Sequence, residues 1–131
     1  MRKIKRIIAT AVAIIGLTSM SVMSTSAVSV VFDNVGGYRT TCTASKQANG
    51  NLKISTSVTS SVSVGVSGTA KYYSGGQVIT TGNGSGGSMG TDAIITKTSS
   101  GIWVELNTTH TVVSSSKTIP TAVWQGLNVI P

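Results

Sequence analysis

The stretch that decides the fold runs from residue 52 to residue 66 and reads LKISTSVTSSVSVGV. Its even-numbered positions are mostly apolar, and its odd-numbered positions are all polar or glycine. A period of two is typical of a β-strand with one buried and one solvent-facing side. Fifteen residues at about 3.3 Å each extend over roughly 50 Å, which is too long for one strand of a small domain. The pattern therefore predicts two strands, with a break near Ser60-Ser61.

Further strands are predicted on both sides of this stretch. A second alternating run covers residues 102–112, and six shorter runs are rich in the Val, Ile and Thr that favour pleated surfaces. Turn-forming residues separate the runs, and Ser74-Gly75-Gly76 is the best hairpin signal. The shorter candidates are Val28–Phe32, Arg39–Ala44, Thr69–Tyr73, Gln77–Thr81, Ala93–Thr98 and Thr118–Trp124.

The fold class follows from the number and length of these runs. Beyond residue 27, no stretch of ten or more residues has apolar residues at helical spacing. Seven or eight short strands with regular turn signals predict an all-β fold, either an antiparallel β-sandwich or a small barrel, and we favour a single β-sandwich. Residues 82–90, GNGSGGSMG, are predicted to be a flexible loop because five of the nine are glycine. This segment lacks the Lys-Ser/Thr ending of a phosphate-binding loop, which argues against nucleotide binding.

The N-terminal residues have the pattern of an export signal. Four cations occur among the first six residues, and an apolar run follows from Ile7 to Leu17. That run is too short to span a bilayer, which needs about 20 residues, but it fits the apolar core of a signal peptide. The small residues at 24–27 suit a signal peptidase, so we predict cleavage after Ala27. Residues 1–27 are then a signal peptide and residues 28–131 one secreted domain; an uncleaved N-terminal anchor is the alternative.

Cleavage changes the interpretation of charge. The whole chain carries a formal charge of +7, but removal of the four N-terminal cations leaves +3 on 104 residues. The remaining cations are scattered singly, so no nucleic-acid partner is predicted. Cys42 is the only cysteine, which excludes an intrachain disulfide. We expect it to be a small buried residue, with an intermolecular disulfide as the alternative.

Some of these motifs also resemble a known group of proteins. The hydroxyl-rich alternating strand, the turn Tyr72-Tyr73-Ser74-Gly75-Gly76 and the late strand ending in His110-Thr111-Val112 resemble small secreted proteins of Gram-positive bacteria. The resemblance covers about residues 50–115. It implies an immunoglobulin-like sandwich in an extracellular protein and brings no activity with it.

Few residues of the predicted mature chain are suited to catalysis. It holds one histidine, one thiol and three carboxylates, and no two of the carboxylates are close in sequence. A nucleophilic pair would need Cys42 beside His110, whereas His110 falls on the predicted core face of its strand. We therefore predict no catalytic residue, no metal site and no cofactor, and keep a small secreted hydrolase only as an alternative.

The candidate ligand-binding residues are Trp103, Glu105 and Asn107. Simple alternation places all three on the polar face of the strand at 102–112, where an indole beside polar groups could stack on a sugar ring. The other interpretation is that a second sheet covers Trp103 and makes it part of the core.

Three functions are compatible with these features. The first is a secreted, non-enzymatic module that binds a cell-surface or cell-wall glycan or an extracellular protein. The second is a membrane-active toxin or bacteriocin, because the Ser/Val alternation of residues 57–67 also occurs in membrane-inserting hairpins. Membrane contact is therefore kept as an alternative and is not favoured. The third is the small hydrolase.

Overall fold

The computed structural model describes residues 22–24 and 28–124. These residues form antiparallel β-strands arranged in two sheets, which confirms the predicted all-β fold and β-sandwich. Eight of the strands lie beyond residue 27, at the upper end of the predicted number. The strands are β1 (Val22–Ser24), β2 (Val28–Val35), β3 (Tyr38–Lys46), β4 (Leu52–Val58), β5 (Ser63–Ser74), β6 (Gln77–Ser88), β7 (Gly90–Ile95), β8 (Ile102–Val112) and β9 (Ser115–Ile119).

The chain crosses between the two sheets at three connections. Sheet I has the strand order β1-β2-β3-β4-β7, and sheet II has the order β6-β5-β8-β9. Residues 59–62 carry the chain from β4 to β5, which confirms the predicted break near Ser60-Ser61. Met89 alone separates β6 from β7, and residues 96–101 lead from β7 to β8. The alternating stretch at 52–66 therefore contributes one strand to each sheet.

The predicted hairpin at Gly75-Gly76 is confirmed. Ser74 pairs with Gln77, so the loop between β5 and β6 has two residues. Both glycines have positive φ angles, 57° and 83°. Two-residue hairpins of this kind need left-handed backbone at both loop positions, which glycine adopts without steric cost.

Two predicted segments differ from the structure. The glycine-rich segment at 82–90 is not a loop, because β6 pairs with β5 along its whole length, from Ser74↔Gln77 to Ser63↔Ser88. An extended glycine backbone makes the same ladder of hydrogen bonds as any other residue, and β5 supplies the template. The predicted strand Thr118–Trp124 is also wrong in part, since β9 ends at Ile119 and residues 121–124 form a turn and a short 3₁₀ segment.

The core lies between the two sheets and is built from the inward-facing residues of each strand. β4 shows this most simply, since all four of its even-numbered residues are buried and its odd-numbered residues are half-buried. Trp124 closes the core after β9. The main cluster consists of Val31, Cys42, Ala44, Leu52, Ile54, Val66, Ala70, Tyr72, Ala93, Ile95, Trp103, Leu106, Ile119 and Trp124.

The predicted signal peptide lies mostly outside the described residues. Only Val22–Ser24 of that segment are described, as strand β1 paired antiparallel to β2. Cleavage after Ala27 stays a prediction.

Candidate binding surface on the outer face of sheet II

The outer face of sheet II is formed by the outward-pointing residues of its four strands. Cross-strand register sets them side by side, for example Thr69 beside Asn107 and Ser67 beside Thr109. Hydroxyl groups of β8 and β9 also contact each other across the strands, at 3.3 Å for Thr109–Thr118 and 3.0 Å for Thr111–Ser116. The face is therefore an array of hydroxyl and amide groups.

One end of this face carries three exposed apolar side chains. Tyr73 pairs with Val78 on one side and with Ile102 on the other, so the three lie in one row across β6, β5 and β8. Their exposed fractions are 52%, 54% and 60%. We call these three residues the apolar row. Large side chains this exposed on a folded surface are candidates for contact with a ligand or partner.

An ion pair between Lys71 and Glu105 lies beside the apolar row. Lys71 Nζ is 3.4 Å from Glu105 Oε1. The other carboxylate oxygen of Glu105 accepts a hydrogen bond of 2.9 Å from the Asn107 side-chain amide. The carboxylate and the amide are thus held in fixed positions next to Tyr73, where each keeps further hydrogen-bonding capacity.

The other end of the face contains a shallow groove floored by glycine. Its volume is about 440 Å³, and its lining residues are Ser63, Val64, Gly65, Val66, Ser67, Gly84, Ser85, Thr111 and Val113. A Cβ atom added at Gly65 or Gly84 would meet its nearest neighbour at 3.6 or 3.4 Å, an ordinary contact distance. Packing does not require glycine at these two positions, and their backbone stays bare on the outer face.

Trp103 does not belong to this surface, which corrects the expectation from simple alternation. Its side chain is 2% exposed, packs edge-on against Tyr72 at a centroid distance of 5.1 Å, and donates a hydrogen bond of 2.7 Å to the Gly50 carbonyl. The cause is a β-bulge: Lys71 pairs with Glu105 but the next residue, Tyr72, pairs with Trp103. One extra residue in β8 turns Trp103 inward while Glu105 stays on the outer face.

Glu105 and Asn107 do lie on the outer face, so their predicted role in ligand binding stays a prediction. Sequence reasoning missed Tyr73 as their aromatic neighbour. The signal was present, because Tyr72 and Tyr73 are consecutive residues of one strand and must point to opposite faces. Tyr72 is fully buried, and its hydroxyl lies 3.0 Å from Thr98 Oγ1.

His110 is fully buried in a chain of hydrogen bonds. The Trp124 indole donates to Thr108 Oγ1 at 3.1 Å, and Thr56 Oγ1 donates to the Gly65 carbonyl at 3.0 Å. Each hydroxyl has one proton, so Thr56 must accept from His110 Nδ1 at 2.7 Å and Thr108 must donate to Nε2 at 2.8 Å. This assigns His110 as the neutral Nδ1-protonated tautomer. Burial lowers its pKa to about 4, against a smaller opposing effect of a hydrogen bond with the Ser55 backbone.

Cys42 is also buried, as predicted, and does not share this chain of hydrogen bonds. Burial raises the pKa of its thiol to about 12, with a further contribution from the negative charge of Asp33. Both ring nitrogens of His110 contact threonines instead. Neither side chain is exposed to solvent, so the pair needed by the hydrolase alternative is not assembled in this structure.

The run considered for membrane insertion is divided between the sheets. Residues 57–58 end β4 in sheet I, whereas residues 63–67 begin β5 in sheet II. Three of its four valines, Val58, Val64 and Val66, are buried in the sandwich, and Val62 is half-buried. Across residues 22–24 and 28–124, no helix is long and apolar enough to cross a membrane. Within the same residues, no cluster of three or more His, Cys, Asp and Glu side chains could hold a metal ion.

The fold and this surface define a two-sheet antiparallel sandwich with a hydroxyl-rich outer face on sheet II. Comparison with known proteins adds nothing further, because the chain matches no family model, no curated protein and no solved structure.

Proposed function

We propose that this chain is a secreted, non-enzymatic binding module that recognises a neutral glycan on the outer face of sheet II. The observation that carries the proposal is the exposed Tyr73 ring, flanked by Val78 and Ile102 at the edge of a hydroxyl and amide array. An aromatic ring offers an apolar surface to the C–H side of a sugar ring. Fixed polar groups beside it then set the orientation of the sugar hydroxyls.

The charges of this face favour a neutral partner. Lys71 and Glu105 are paired with each other, and the remaining outward residues of β5, β6 and β8 carry no charge. A charged polymer would gain little from such a surface, and steering by long-range electrostatics would be weak. A neutral polysaccharide can instead form hydrogen bonds with the hydroxyl and amide groups of this face. Binding of this type should change little with salt.

The test is co-sedimentation of the secreted protein with insoluble cell wall, cellulose, chitin and liposomes, at low and moderate salt. We expect retention on at least one polysaccharide that survives moderate salt. Tyr73→Ala should weaken it at least about tenfold, which corresponds to about 1.4 kcal/mol. Glu105→Gln keeps the shape of the side chain but removes its charge, so this variant distinguishes a contribution of hydrogen bonding from a contribution of charge.

The matched control is Phe32→Ala, which removes a half-exposed aromatic ring from sheet I, away from the apolar row. It should bind like the unaltered chain. Equal binding by the Tyr73→Ala and unaltered proteins would overturn the proposal. Retention on liposomes alone would favour the membrane-active alternative, and retention on no polymer would favour a protein partner; both contradict the glycan function.

A further inference from the structure

Two of the four sheet edges protect each other. An edge strand presents unpaired backbone groups to other chains, and stable proteins cover or block such edges. The Asn83 side chain of β6 donates a hydrogen bond to the Ile94 carbonyl of β7. Nearby, the Thr91 hydroxyl donates to Ser85 Oγ at 3.1 Å. These side-chain bridges join the β6 edge of sheet II to the β7 edge of sheet I.

The third edge, β9, is protected by its own sequence. It has five residues, one of which is the exposed Lys117, and Pro120 follows it directly. Short length, a lysine and a neighbouring proline are all known means of preventing edge-to-edge pairing.

The fourth edge of the described sheets is β1, and behind it β2 is protected by its own sequence over only half of its length. Asp33 points inward, and its Oδ2 lies 3.2 Å from Lys117 Nζ. A charged side chain at this position disfavours edge-to-edge pairing along the second half of the strand. The first half, Ser29–Val31, has no charge, no proline and no glycine. β1 covers this half, with Val22 opposite Val31, Met23 opposite Val30 and Ser24 opposite Ser29.

The strand that covers Ser29–Val31 belongs to the segment predicted to be removed. Cleavage after Ala27 takes β1 away and leaves an apolar edge of high β-propensity without a partner. Among the residues whose side chains the structure describes, the two core clusters are formed by residues between Val31 and Trp124. We therefore expect the secreted chain to keep its sandwich and to gain an open edge.

We propose that this open edge pairs with the same edge of a second copy of the chain, forming a two-fold symmetric dimer. The geometry of β1 shows that the edge accepts a short apolar strand in antiparallel orientation. Two copies of Ser29–Val31 pair antiparallel about Val30, which faces its own counterpart. This interface is self-complementary and closes after two copies. Sheet I then continues across the dimer. The inference rests on the predicted cleavage and is independent of the glycan function.

The first experiment is secretion of the full chain from an exporting host, followed by intact-mass measurement and light scattering over a concentration series. A product that begins at Val28 and whose mass in solution is twice that of the cleaved chain supports the proposal. A product that begins at Val28 and stays monomeric overturns it, and so does a larger open assembly. A product that retains residues 22–24 also overturns it, because the edge would stay covered.

Charge pairs at Val30 test the register. Val30→Lys and Val30→Glu each place two like charges opposite one another across the dimer axis, so each variant alone should be monomeric. Mixing the two variants in equal amounts should restore the dimer. Thr41→Lys is the matched control, since it adds the same charge to the outer face of sheet I one strand further in, and it should remain dimeric. A mixture that stays monomeric would exclude this register, and circular dichroism checks that each variant is folded.

Discussion

At the scale of single residues, the most constrained group is His110. Its two nitrogens have assigned partners on two different strands, Thr56 and Thr108. The neutral form fits this environment, and the imidazolium form would leave Thr108 Oγ1 with two donors and no acceptor for its proton. Burial is the main cause of its low pKa.

The low pKa of His110 predicts that stability depends on pH. In the unfolded chain its pKa is about 6.5, so between about pH 6.5 and 4 the unfolded state binds a proton that the folded state does not. The stabilising effect is complete above pH 6.5 and is lost as the pH falls to about 4. The difference between the two pKa values corresponds to roughly 3 kcal/mol. Urea unfolding at pH values across this range measures the loss.

The control for this prediction is His110→Gln, which lowers stability at neutral pH and should remove most of the dependence in this range. His110 is the only histidine of the chain, so NMR titration of its ring reports the folded pKa directly. A ring that titrates near 6.5 in the folded protein contradicts the buried, hydrogen-bonded assignment.

Gly68 predicts a steric limit in the core. A Cβ atom there would meet Ile54 Cδ1 at 2.7 Å and Ile95 Cδ1 at 3.0 Å, both from sheet I. Gly68→Ala should therefore lower the free energy of unfolding by about 1–3 kcal/mol through overpacking. Gly84→Ala is the matched control on the outer face, where an added Cβ atom would meet its nearest neighbour at an ordinary contact distance of 3.4 Å, and it should be neutral or stabilise by about 0.5 kcal/mol. Equal losses for the two variants would show that the sheets do not approach closely at Gly68.

Cys42 predicts a thiol that does not react in the folded protein. It is fully buried and its pKa is about 12, so the reactive thiolate is scarce at neutral pH. A thiol-specific reagent should modify one group per chain in denaturant and almost none in native buffer. Fast modification under native conditions would indicate that the β3 region opens. Cys42 would then be accessible for an intermolecular disulfide.

At the scale of elements, the alternating pattern predicted β4 and the first half of β5 correctly because each has one buried face. The pattern failed in β8, where one bulged residue separates Trp103 from Glu105. Periodicity alone cannot locate a bulge, since the extra residue is fixed by the pairing with β5. For the same reason only two of the three residues predicted for the binding surface, Glu105 and Asn107, lie on the outer face, and Tyr73 was not predicted.

β6 shows a second limit of local sequence reasoning. Its glycines have low β-propensity, so the strand forms because β5 and the β7 bridges hold it. Most of its residues are exposed, so little apolar burial stabilises it.

This weak burial predicts fast hydrogen exchange in β6. Its amides should exchange at least about tenfold faster than those of the buried central strand β8, because local opening needs less free energy there. Asn83→Ala removes the bridge to Ile94 and should increase the difference, whereas Thr80→Ala on the outer face should not. Equal protection of β6 and β8 would contradict the expectation that β6 opens more readily than β8.

At the scale of the whole molecule, composition and turn spacing were enough to predict a β-sandwich without an intrachain disulfide. They were not enough to give the strand order, because β4 pairs with β7 and β5 pairs with β8, far along the chain. Nothing local to Ile54 indicates that it lies beside Ala93. Tertiary pairing of this kind decides which residues share a surface, so the apolar row became apparent only with the fold.

These long-range pairs also bear on the export that the N-terminal sequence predicts. Ile54↔Ala93 and Val66↔His110 join residues about 40 positions apart, so neither sheet is complete until most of the chain is available. Topologies dominated by distant contacts fold slowly, on the order of milliseconds to seconds. If the chain is exported as its N-terminal sequence predicts, slow folding would keep it unfolded while it crosses the membrane, and the sandwich would form afterwards. Stopped-flow refolding followed by the fluorescence of Trp103 and Trp124 measures the folding rate. A full signal change that is already complete within the mixing time would contradict slow folding.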